Sequence, residues 1–167
     1  MWQFLNGPGI ASALANAGAF LVLLWAVNLP APWLGLRFED KPANVLFAPP
    51  GYVVVAAWLM LFPAMGVSRW LLVRSPAPGA EQRWVVGLAI VCATYAYYTL
   101  GIARLTGVSP AVYGLVGNIC VIAFAALLAA RVWALSHLAA LLISGVAVWT
   151  AFASISVVQL VVKELRP

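Results

Sequence analysis

The sequence predicts an all-α integral membrane protein, a bundle of five transmembrane helices forming one domain over residues 1–167. Three observations lead there. The chain is 65% hydrophobic and 8% charged, whereas a soluble domain carries charge on about a quarter of its residues. The charges sit in short islands at 37–41, 69–74, 81–83, 104, 131 and 163–166. Uncharged apolar runs of about 20 residues lie between them, the length that crosses a bilayer core. These runs lack strand alternation, and lipid offers the backbone no hydrogen bonds, so they read as helices.

Composition also removes several functions. The net charge of +5 comes from cations scattered over many loops, where headgroups and interfacial water solvate them, so no nucleic-acid partner is expected. Cys92 and Cys120 fall mid-span and read as small hydrophobes, with no metal pattern and no disulfide framework. No cleavable signal peptide is expected, because the first residues carry no basic side chain and the first apolar run is too long.

The elements follow in order. Trp2 and Phe4 are placed at an interface, and Pro8 can start a helix. The first span is expected over 10–29, with Ala11, Ala15 and Ala19 as a small-residue packing stripe. Asn16, polar at membrane depth, should face another helix. The loop 30–50 is the longest connection, with five prolines, Trp33, Phe38 and Phe47, and the charges Arg37, Glu39, Asp40 and Lys41. Such a loop is expected as an ordered lid or as a stretch lying on the headgroups.

Pro49 and Pro50 cannot continue a helix from upstream, so the second span starts after them and runs over 51–73. Trp58, Phe62 and Met65 fall at i, i+4 and i+7, one helix face. That face reads either as packing or as a pocket wall under the loop. Pro63 should kink the span or leave a carbonyl free, and Arg69 can snorkel to the interface. A third span over 84–103 carries Tyr95 and Tyr98 at i and i+3. Their hydroxyls need partners, whether they pack or line a pocket. The fourth span, 110–130, holds Gly114 and Gly117 for close approach, and Asn118 to bond a neighbouring helix. His137 lies at a span edge and reads as a solvated interfacial residue. The fifth span, 138–162, places Trp149, Phe152 and Ser156 on one face.

The stretch KPANVLFAPPGYVVVAAWLMLFPAMG carries a family likeness. Pro49, Pro50, Tyr52, Trp58, Phe62, Met65 and Gly66, with Lys41-Pro42 upstream, resemble the signature of the TspO/MBR family, the tryptophan-rich sensory or translocator proteins. Eight tryptophans, the long first loop and the five spans extend the likeness, and Trp149 with the following TAFAS is similar to the family's last span. The chain would be a divergent member: Phe47 stands where the loop usually has Trp, and Gly145-Val146 replaces a Pro-Tyr.

The resemblance implies a TspO-like bundle, often a homodimer, with an apolar pocket beneath the first loop. It implies binding of porphyrins, haem-like tetrapyrroles or sterols, and a role in regulation or stress sensing. The expected ligand-binding residues are Trp33, Phe47, Pro49, Pro50, Tyr52, Trp58, Phe62, Met65, Tyr95, Tyr98, Trp149 and Phe152. Porphyrin or haem is expected as a ligand and not as a required cofactor. Arg37 or Lys41 could meet its carboxylates. Enzymatic activity is disfavoured, because the spans hold no carboxylate pair, Cys–His pair or metal cluster. The alternative is a non-catalytic structural or assembly subunit of a larger pigment–protein or respiratory membrane complex. Partners are then membrane lipid, a second copy or other subunits, and the expected location is a bacterial inner or intracytoplasmic membrane.

Overall fold

A computed structural model describes residues 5–38, 45, 48–75 and 79–165. The expectations placed on Trp2, Phe4, Glu39, Asp40, Lys41, Pro42 and Phe47 lie outside the described residues. The described chain folds as helices α1 (Ile10–Asn28), α2 (Gly51–Val73), α3 (Glu81–Ala93), a π-helical stretch Tyr97–Gly101, α4 (Ile102–Thr106), α5 (Pro110–Trp133) and α6 (His137–Glu164). Among the described residues four helices are each long and apolar enough to cross a membrane. The bent pair of α3 with Tyr97–Thr106 makes a fifth crossing if taken as one span. Among the described residues the architecture is all-helical, with four or five helical segments of a length and composition that fit a membrane bundle.

Helix ends follow local chemistry. Pro50, extended at ψ 146, precedes α2 and cannot donate into an upstream helix. Ser109 accepts from the Ala111 N–H and Pro110 takes the first helical position of α5. Ser136 caps α6 by accepting from the Ala139 N–H. At 28 residues α6 is about 42 Å long, well beyond the hydrocarbon core of about 30 Å. Lys163 and Glu164 in its last turn are exposed. Helix α2 runs through Pro63 without a break.

The third span departs from the expectation of one straight rod. It breaks at Thr94 and its two parts are bent by 51°. The run TYAYYT explains the break. Thr94 Oγ1 competes with the amide ladder, donating to the Ile90 and Val91 carbonyls at 2.9 and 3.1 Å. The carbonyls freed at such a bend must be satisfied from elsewhere. Asn28 Nδ2, at the end of α1, donates to the Ala93 carbonyl at 3.1 Å. The Tyr97 hydroxyl returns the tie, donating to the Val27 carbonyl at 2.6 Å.

In the bundle α2 packs against α1, α3 and α6, and α5 packs against α3 and α6. The core holds Phe20 of α1, Phe62, Met65 and Leu72 of α2, Val85 and Leu88 of α3, Val121 and Leu128 of α5, and Ile143 and Val146 of α6. The packing face of α1 corrects the small-residue expectation. Its buried residues are Ser12, Ala13, Asn16 and Phe20, while Ala11 and Ala19 are exposed. In lipid an alanine stripe costs nothing to leave outside, whereas an amide does, so the polar residues decide which face turns inward.

Candidate functional site

The site is built at the end of the bundle that carries the first loop. Residues 29–36 form consecutive turns closed by Leu34 N–H to Pro30 and Leu36 N–H to Ala31 carbonyls, at 3.2 and 2.8 Å. This lid turns Ala31 and Leu36 down onto Ala96, Tyr97 and Leu100. Arg104 fastens it: Nη1 donates to the Leu34 carbonyl at 2.9 Å and Nη2 to the Gly35 carbonyl. Gly35 sits at φ 71, and a Cβ there would stand 3.1 Å from Arg104 Nη1. Only glycine meets both conditions without strain.

Below the lid three rings form a ladder. Phe38 lies 5.8 Å from Tyr95, and Tyr95 lies edge-on to Tyr98 at 5.4 Å. Both tyrosines press on α5 where Gly114 and Gly117 leave room: a Cβ on Gly114 would be 2.9 Å from the Tyr95 hydroxyl, and one on Gly117 would overlap the Tyr98 ring.

On the other side stand two more aromatic pairs. Trp58 meets Phe62 edge-on at 5.9 Å on α2, and Trp149 meets Phe152 at 5.8 Å on α6. Helices α2 and α6 run antiparallel, fixed by Ser68 Oγ donating to the Ala139 carbonyl at 3.2 Å and by Leu61 against Gly145. Moving from Leu61 and Gly145 by one turn toward the lid puts Trp58 and Trp149 at one level.

Two polar atoms in this half of the bundle are buried with no hydrogen-bond partner: the Tyr98 hydroxyl and Thr150 Oγ1, the latter adjacent to Trp149. Asn118 is buried as well, and the expected bond from its side chain to a neighbouring helix is not formed. Proximity to the small residues of α5 satisfies packing but supplies no acceptor, which is why the tyrosine and asparagine expectations fail on hydrogen bonding.

The structure thus gathers Tyr95, Tyr98, Trp58, Phe62, Trp149 and Phe152 into the lid half of the bundle. Phe62 and Met65 are fully buried and serve as its floor, and Pro49 and Pro50 are half-buried at the start of α2. Trp33 and Tyr52 stand apart, 83% and 76% exposed. Trp33 occupies the outer side of the lid turn whose inner positions are Ala31 and Leu36. The His137 ring lies 4.6 Å from that of Trp133, tilted by 44°, at the far end from the lid.

Two hollows are described, and both are open grooves. One, of about 290 Å³, runs between the lid and the start of α5, beside Arg37, Arg104 and Ser109. The other, of about 500 Å³, lies between α5 and α6 over Ala126, Ala129, Ala130, Ser144 and Ala147.

Sequence reasoning missed the partner of Arg69. Arg69 does not snorkel; Nη1 donates to Asn16 Oδ1 at 2.5 Å. It also missed the Arg104 clamp. The signal for that clamp was a cation at the end of the third span with a glycine in the loop it had to meet. No protein-family model matches this chain, and neither does a curated protein or a solved structure.

Proposed function

We propose that this protein is a membrane receptor for a flat, largely apolar ligand of the tetrapyrrole class, a porphyrin or haem-like molecule, with a regulatory or sensory role and a place in the TspO/MBR family. The observation that carries this reading is the pair of orphaned hydroxyls, Tyr98 and Thr150, in the aromatic half of the bundle. A buried hydroxyl without a partner costs about 1–3 kcal/mol, and a polar edge of a bound ligand removes that cost. Rings on three different elements supply stacking faces, from Trp58 on α2, Trp149 on α6 and Tyr95 before the π-helical stretch. An apolar wall with a few placed polar groups is the usual make-up of a small-molecule site.

The test is quenching of tryptophan fluorescence on titrating protoporphyrin IX into the detergent-purified protein. Saturable quenching at micromolar ligand, weakened in both Trp58→Leu and Tyr98→Phe, supports the receptor. A titration that stays linear and equal in all three proteins rejects it.

A second reading, as a structural or assembly subunit of a larger membrane complex, is favoured by the groove between α5 and α6. Its alanines and Ser144 offer close backbone approach to another helix. Co-isolation of fixed-stoichiometry subunits from the native membrane, together with a flat porphyrin titration, would favour it.

A further inference from the structure

We propose that the groove between the lid and the start of α5 is a second site, taking a phosphate-type oxyanion on Arg37 and Arg104, in the form of a phospholipid headgroup. Its lining includes none of the aromatic residues of the lid half, and it does not depend on the tetrapyrrole reading. The groove holds about 290 Å³ and is lined by both Arg37 and Arg104. None of the described residues lining it is acidic. Neither arginine has a carboxylate partner among the described residues. Two like charges facing one hollow repel, and an anion between them converts repulsion into two charge-assisted contacts.

Arg104 is preset for this. Its guanidinium carries five N–H donors in a fixed fork. One Nη1 and one Nη2 donor go to the lid carbonyls of Leu34 and Gly35. These bonds hold the plane of the fork while the remaining donors are left for a ligand. An arginine held at both Nη atoms gives up little further rotamer freedom when an anion arrives.

The surroundings favour an amphiphile over a free ion. The hollow is floored by Leu100 and Ala103 and edged by Val108. Beside it Ile102 and Leu105 are exposed, Leu105 at 87%. They follow the π-helical stretch at the end of the third span, where acyl chains meet headgroups. A phosphate on the arginines therefore leaves room for its tails along α4. The bound headgroup would share Arg104 with the lid, so lipid charge and lid position are linked.

The experiment uses the full-length protein, delipidated in a neutral detergent, with lipid retention read by native mass spectrometry. Phosphatidylglycerol, phosphatidylcholine and inorganic phosphate are the probes. Phosphatidylglycerol is expected to bind the parent protein more tightly than phosphatidylcholine. Arg37→Gln should weaken phosphatidylglycerol about tenfold, the loss of one charged hydrogen bond. Arg131→Gln, a cation at the opposite end of the bundle, should leave it unchanged. Arg37→Gln carries the test if Arg104→Gln also releases the lid. Inorganic phosphate matching the lipid's affinity, and lost in Arg37→Gln, would keep the oxyanion site and assign it to a soluble phosphate. Equal losses in Arg37→Gln and Arg131→Gln, or no loss in Arg37→Gln, would overturn the proposal.

Discussion

The Arg69 guanidinium donates to the Asn16 side-chain oxygen at 2.5 Å, joining α2 to α1 inside the bundle. Asn16 is oriented for this because its own amide donates to the Leu5 and Ser12 carbonyls at 2.7 and 2.8 Å. One neutral side chain thus accepts from a cation and ties down the segment before α1. Trp70 assists by donating from Nε1 to the Gly7 carbonyl at 3.0 Å.

Replacing Asn16 with alanine should therefore cost about 1.5–3 kcal/mol, the worth of a hydrogen bond to a charged group. Ser12→Ala should cost far less, since Asn16 uses the Ser12 backbone carbonyl and not its hydroxyl. Equilibrium denaturation in detergent micelles measures both. Equal losses for the two variants would contradict the assignment.

Gly117→Ala should destabilise by about 1–3 kcal/mol, the usual range for overpacking. The new methyl overlaps the Tyr98 ring. Combining it with Tyr98→Leu should recover most of the loss, and a purely additive double variant would count against this contact.

Gly35→Ala should loosen the lid by about 1–2 kcal/mol, because its φ of 71 is unfavourable for a residue with a Cβ. Amide hydrogen exchange would show faster exchange at Leu34 and Leu36, with the α2 core unchanged. Uniform exchange across both regions would mean that the effect is global unfolding.

Tyr98→Phe removes an orphaned buried hydroxyl. In the ligand-free protein it should be stabilising or neutral, by up to about 1–3 kcal/mol, while porphyrin binding weakens. A loss of ligand-free stability comparable to that of Gly117→Ala would show that the hydroxyl has a partner after all.

Much of the architecture was readable because lipid leaves few choices. Charge islands and apolar run lengths locate the spans, and the start of α2 after Pro50 follows from proline chemistry alone. Phe62 and Met65 share one face and are both fully buried, as helical period implies. The facing of α1 was not readable from small residues, because lipid and protein are equally apolar surroundings for Ala11 and Ala19. The break at Thr94 was hidden for a different reason. Its freed Ala93 carbonyl is answered by Asn28, 65 residues away, and no local pattern encodes that pairing. The aromatic positions of the site were visible in the sequence, but not which of them turn outward. Trp33 in the first loop and Tyr52 in the motif illustrate the limit: both are exposed.

The third crossing is stitched to the first by Asn28 and Tyr97, and to the lid by Arg104. Roof and wall are consequently one mechanical piece on that flank. Tilting the cover would drag the bent rod with it, and the last turn of α1 as well.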